Sequence, residues 1–173
     1  MRFIGLDPST RTGFVALDVD GNVIVAKEIE GEGKTDPKRM ATQIDSIISH
    51  IKHDDIICIE GFGFASQQAI QLGGIGWGIR MALFRCNIPF IEASPSQLKK
   101  FATGKGNTPK DGMAVPIYKR WGFENKSNNV TDAFVLAQIA FTLKSNMAIQ
   151  INQTQQEVVQ AIKNPPEKKK KAK

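Results

Sequence analysis

The chain opens with short apolar runs, each bounded by turn residues and too short for a helix. Residues 2–7 (RFIGLD) read as a buried strand that ends in an acid. Residues 12–19 (TGFVALDV) and 22–29 (NVIVAKEI) read as two more strands, separated by Asp20-Gly21, a strong hairpin signal. The period then changes. Thr35-Asp36-Pro37 supplies capping chemistry and a helix-start proline, and Met40, Ile44, Ile47, Ile48 and Ile51 recur at helical spacing. Residues 55–60 (DIICIE) form a continuous apolar run, as expected of a strand buried on both faces, and again end in an acid. A helix is expected from about Ser66 to Arg85, and a fifth strand over 88–93. Residues 94–108 read as a polar loop rich in Gly and Lys; Thr108-Pro109 starts another helix, which Pro116 should kink or shorten. The last long helix is expected from about Asp132 to Met147, apolar on nearly all sides and so largely buried. A short amphipathic helix is expected over 154–163, then disorder from Pro165-Pro166 through the terminal lysines.

This order predicts an antiparallel meander of three strands, with the fourth and fifth strands added parallel to the first through right-handed crossovers. The fold class is therefore α/β: a mixed five-stranded sheet with helices on both faces. Residues 1–150 are expected to form that domain, and 151–173 a C-terminal helix with a Lys-rich tail. The 173 residues suit one core, and 41% apolar with 23% charged residues is ordinary for a soluble domain. No apolar run reaches the length of about 18 residues that a membrane span requires, and no secretory leader pattern is present. Cys58 and Cys86 lack metal-ligand spacing and are expected to be reduced core thiols, which points to a cytoplasmic protein.

The net charge of +6 is unevenly placed, because Lys163–Lys173 holds six Lys against one Glu. A second basic cluster changes the picture more. Lys99, Lys100, Lys105, Lys110, Lys119 and Arg120 stand against Asp111 alone within 22 residues, a self-repulsion that suits a polyanionic partner.

The candidate chemistry lies in three acids. Asp7 ends the first expected strand and Glu60 the fourth, which should be its neighbour. Adjacent strands lie roughly 4.8 Å apart, so carboxylates at matching carboxyl ends can share a cation. Asp132 is expected to head the buried helix, whose N-terminus would favour its ionised form. Carboxylates without Cys or His partners suit Mg²⁺ or Mn²⁺ and not zinc. Each acid alone also fits a bland role: Asp7 as a turn cap, Glu60 as a strand-end acid, Asp132 as a helix cap.

Four segments resemble motifs of the RuvC family of Holliday junction resolvases, within the RNase H-like superfamily. FIGLDPSTRTGFVAL resembles the first, with Asp7; ICIEGFGFA the second, with Glu60; TGKGNTPKDGM the Gly-Lys-rich segment, with Lys110; NNVTDAFVLAQIA the last, with Asp132. The resemblance spans about residues 1–148. It implies a homodimeric, Mg²⁺- or Mn²⁺-dependent endodeoxyribonuclease of the bacterial cell or a phage, acting on four-way junctions or other branched DNA in recombination and repair, with no membrane partner. Two ions would be held by Asp7 as bridging ligand and by Glu60 and Asp132, with Lys110 stabilising transition-state charge or contacting a phosphate. The chain departs from the family where a second acid precedes the last one by three residues: here that position is Asn129, which would serve as a weak fourth ligand. Lys99, Lys100 and Lys105 are expected on a flexible loop against the DNA backbone, and Phe62 or Phe64, flanked by glycines, either against an unpaired base or packed in the core.

Three other readings remain open at this stage. One is a non-catalytic binder of branched DNA, disabled by Asn129. A second is another RNase H-like nuclease. The third is an actin-like or sugar-kinase domain that uses Asp7-Pro-Ser-Thr as a phosphate turn, although those proteins need a second such domain for which 173 residues leave no room.

Overall fold

The computed structural model describes residues 1–63, 68–145 and 147–165. Strands β1 (Phe3–Asp7), β2 (Thr12–Leu17) and β3 (Val23–Ile29) form the antiparallel meander. Gly21 takes the positive φ of 86° that the turn before β3 requires. Strand β4 (Ile56–Glu60) pairs with β1 in parallel and β5 (Phe90–Ala93) with β4, so the sheet order is β3-β2-β1-β4-β5.

Side chains alternate across this sheet and build two cores. Ile4, Leu6, Phe14, Ala16, Ile57 and Ile59 face helices α1 (Lys38–Ser49) and α2 (Ala69–Arg85). Phe3, Val15, Leu17 and Cys58 face the other layer. That layer contains α3 (Pro95–Thr103), α4 (Ala114–Trp121), α5 (Asn128–Lys144) and α6 (Gln153–Lys163), with a 3₁₀ turn at Lys110–Gly112. Helix α5 lies directly on the strands because two positions lack side chains. A β-carbon on Gly5 would sit 1.8 Å from the Ala133 carbonyl oxygen, and one on Gly13 2.0 Å from that of Asn129. The expected mixed sheet with helices on both faces is therefore the observed fold.

Four local expectations are corrected. The segment 94–108 is not a loop throughout, since Pro95–Thr103 is helical. Ser94 and Gln97 close a reciprocal capping box there, Pro95 sits in the first turn, and Leu98, Phe101 and Ala102 form the buried face. Lys99 and Lys100 thus project from a helix; only Lys105 follows its left-handed end at Gly104. Helix α5 begins at Asn128, capped by the Ser127 hydroxyl, so Asp132 lies in its second turn and does not head it. Pro116 causes no kink: it falls in the first turn of α4, where its missing N–H would be unpaired anyway. Cys86 is exposed at the end of α2, whereas Cys58 is buried; both are free thiols. Helix α6 is docked by Val158 and Val159 in the core of the α5 layer. The lysines beyond Pro165 lie outside the described residues.

Candidate active site

Three acids meet on the α5 side of the sheet, at the carboxyl end of its two central parallel strands. The register pairs Leu6 with Ile59, so Asp7 and Glu60 follow side by side. Alternation places both on the face that α5 covers, with Phe3, Gly5 and Cys58. Asp132 comes to the same place because α5 crosses β1, β2 and β4. Sites in open α/β sheets form at this end of the strands.

The three acids also act on one another electrostatically. Asp7 is only 7% exposed. Burial first, then the Glu60 charge, a hydrogen bond with Glu60 and the Asp132 charge hold its carboxyl well above the ordinary value of 3.8. Burial, then Glu60, push Asp132 up to about 6. The expectation that a helix terminus would keep Asp132 ionised is thus reversed: one helical turn lies before it, and desolvation and like charge dominate. Two cations oppose these shifts. The Lys110 ammonium acts on both Asp7 and Asp132, and Lys99 acts on Asp132.

The donor chemistry suits a hard divalent cation, since it consists of carboxylate oxygens. A shared proton offsets repulsion between paired carboxylates, and so would a cation between them. The arrangement is not a finished cage. Among the described residues, no three His, Cys, Asp or Glu side chains are gathered tightly enough to hold an ion as they stand. Asp7 and Glu60 share a hydrogen bond, and Asp132 reaches them through charge.

The remaining candidates separate into those at the site and those away from it. Lys110 and Lys99 are at the acids. Lys100 instead pairs with Glu157 of α6 at 2.8 Å, and Lys105 is exposed beyond α3. The Asn129 amide nitrogen donates to the Arg11 carbonyl at 2.8 Å and to the Ser9 hydroxyl at 3.3 Å, so this side chain engages the turn after Asp7. Phe62 is half-buried on α2, with the Arg80 guanidinium 4.3 Å from its ring centre and the Trp77 ring at 5.3 Å. Gly76 makes room for it, since a β-carbon there would lie 2.7 Å from the Phe62 ring. Phe64 lies outside the described residues.

Arg80 is a buried residue beside the site that the sequence reading missed. It is 4% exposed. It donates to the Glu60 carbonyl at 2.9 Å, to the Gly76 carbonyl at 3.0 Å and to the Glu92 carboxylate, and it lies over Phe62. It thereby fixes the backbone at Glu60 and the start of the loop that follows. A lone cation inside the apolar run IGWGIRMALF was the available signal, because a buried charge needs partners.

Comparisons with known proteins point one way. No protein-family model matches the chain. It is similar to the protein named crossover junction endodeoxyribonuclease RuvC of Campylobacter hominis, with 30% identity over 149 residues, 79% of this chain and 93% of that one. The protein of the same name from Helicobacter hepaticus is 30% identical over 150 residues, 79% of this chain and 80% of that one. Among solved structures, Thermus thermophilus RuvC superposes with a TM-score of 0.62 at 19% identity, covering 82% of this chain and 94% of that one. The same protein in complex with a Holliday junction substrate gives 0.60 at 17%.

Proposed function

The chain belongs to the RuvC family of crossover junction endodeoxyribonucleases, and from that premise we propose that it cuts four-way DNA junctions through a divalent-cation site formed by Asp7, Glu60 and Asp132. The observation that carries this reading is the convergence of those three acids, from β1, β4 and α5, beside Lys110 and Lys99. Carboxylates alone would repel a phosphodiester. Carboxylates that take up divalent cations, rimmed by two ammonium groups, attract one.

In this mechanism Asp7, Glu60 and Asp132 would together hold the cation. Bound Mg²⁺ or Mn²⁺ would supply Lewis-acid activation of an attacking water and of the leaving 3′ oxygen. The chain's own groups do the rest. Lys110 supplies positive charge where the phosphate oxygens gain charge in the transition state. Lys99, on the rigid α3, meets the neighbouring backbone, and exposed Lys105 extends the basic track, giving salt-dependent affinity without base reading. Arg80 keeps the Glu60 backbone in place while DNA is bound. Phe62, clamped between Arg80 and Trp77, is a rigid edge beside the catalytic acid, against which an opened base at the crossover can rest.

Symmetrical cutting requires two copies of the site, and α2 offers the surface for pairing. Ile70, Trp77, Met81 and Phe84 are 95%, 58%, 49% and 79% exposed and repeat along one side of the helix. A contiguous apolar stripe of this kind suits burial against a second copy.

The test is incubation with four-way junction, duplex, flap and RNA–DNA hybrid substrates in Mg²⁺ or Mn²⁺. Junctions should be nicked symmetrically, and Asp7→Asn and Glu60→Gln should each abolish cleavage while leaving junction binding intact. Junction binding without nicking at any cation concentration would replace this reading with a non-catalytic DNA-binding protein. Preferential cutting of hybrids would replace it with a different nuclease.

A further inference from the structure

Asn129 stands where the resemblance leads one to look for a fourth acid, and the contacts of its side chain argue for another role. The Arg11 carbonyl can only accept a hydrogen bond, so the atom 2.8 Å from it must be the Asn129 amide nitrogen. The same nitrogen reaches the Ser9 hydroxyl at 3.3 Å. These contacts join the first turn of α5 to the turn that leaves β1 just after Asp7.

A second contact runs parallel to the first. Ser127, which caps α5, donates its hydroxyl to Glu28, and Glu28 pairs with Arg11 at 2.8 Å. The far side of the turn is held as well. The buried Gln43 of α1 donates to the carbonyls of Ser9 at 2.9 Å and Thr10 at 3.2 Å, and to the Thr12 hydroxyl at 3.1 Å. Gly13 admits the close approach, since a β-carbon there would meet the Asn129 carbonyl oxygen at 2.0 Å. The turn is therefore pinned from both faces of the sheet. The pin on the α5 side lies one helical turn before Asp132 and within a few residues of Asp7.

We propose that Asn129 is a positioning residue, an amide clamp that sets the distance between Asp7 and Asp132, and not a weakened metal ligand. This rests on the reading of Asp7, Glu60 and Asp132 as cation ligands. On this account the chain operates with three carboxylates, and Asn is the suited residue at 129. An aspartate there would turn an anionic oxygen toward the Arg11 carbonyl, lose both donated hydrogen bonds and add charge beside two acids already crowded by Glu60. Restoring the acid would spread Asp7 and Asp132 apart instead of completing the site.

The experiment compares the full chain with Asn129→Ala, Asn129→Asp and Asn129→Ser. Three quantities are measured: single-turnover junction cleavage, junction affinity in EDTA, and the Mn²⁺ concentration that half-saturates the rise in melting temperature. Ala and Asp should both cut about 10- to 100-fold more slowly, as when the outer support of a metal ligand is lost. Both should require more Mn²⁺ for half-saturation, with junction affinity unchanged. Ser, which keeps a donor for the turn, should fall between them and the parent, and remains informative if Ala folds poorly. The proposal is overturned if Asn129→Asp cuts faster or takes up Mn²⁺ more tightly than the parent, which would make position 129 a ligand. It is equally overturned if Ala behaves as the parent does. Asp7→Asn is the control for the underlying reading. If the parent's melting temperature ignores Mn²⁺ as that variant's should, the ligand assignment fails and the clamp falls with it; a normal Mn²⁺ response in the parent with unaffected Asn129 variants rejects the clamp alone.

Discussion

Replacing Asp7 by Asn should destroy cleavage and at the same time make the metal-free protein more stable. The carboxyl is 7% exposed, and burial together with the charges of Glu60 and Asp132 holds it well above its ordinary value of 3.8. A folded-state value above the unfolded one means that ionisation favours unfolding. The destabilisation is absent below about pH 4, grows as pH rises from the unfolded value to the folded value, and stays in full above it. Asparagine has nearly the same shape and can donate to Glu60, so the substitution removes the charge without opening a cavity. Relief of one imperfectly compensated buried charge is worth about 1–3 kcal/mol. For a domain of this size each kcal/mol shifts the melting temperature by roughly 2–4 °C, so the variant should melt about 2–12 °C higher at neutral pH. Calorimetry in EDTA reads the difference directly, and repeating it near pH 4 should shrink the gap. Saturating Mn²⁺ should stabilise the parent and leave the variant little changed. A variant that melts at or below the parent in EDTA at neutral pH would refute the claim that the site stores electrostatic strain.

The other substitutions probe separate parts of the account. Arg80→Met should cost about 2–3 kcal/mol, because it leaves the Glu60 carbonyl unpaired and Glu92, itself half-exposed, without its cation. It should also slow cleavage; an unchanged melting temperature and rate would show that Glu60 needs no such support. Lys110→Met should lower the single-turnover rate by about 10²-fold if its charge acts in the transition state; a loss confined to junction affinity would make it a phosphate contact only. Phe84→Glu combined with Met81→Glu should convert the proposed dimer into monomers by light scattering, since both side chains lie on the exposed stripe of α2; a dimer that persists in the double variant would place the interface elsewhere.

The sheet and two of the three acids were legible because their signals are local. Short apolar runs separated by turn chemistry mark β1 to β5, and an acid at the end of such a run marks Asp7 and Glu60 whatever the rest of the chain does. Asp132 was found but misplaced within its helix. The polar Ser127-Asn128-Asn129 reads as loop until one sees that Ser127 caps the helix and that Asn129 is tied to a turn 118 residues away. Helix α3 was hidden by composition. Lys99, Lys100, Gly104, Lys105 and Gly106 suggest a loop, although Ser94-Pro95-Ser96-Gln97 carried the capping box in plain view. Arg80 was the hardest to anticipate, since its worth depends on Glu92 and the Glu60 backbone, 12 and 20 residues away, which only the parallel strand pairing brings together.

The most direct measurement for the central claim is anomalous diffraction from crystals grown with Mn²⁺. The account predicts Mn²⁺ density coordinated by Asp7, shared with Glu60 on one side and Asp132 on the other, and its disappearance in Asp7→Asn crystals. Crystals that bind Mn²⁺ elsewhere, or that leave these three carboxylates without an ion at saturating concentration, would contradict it.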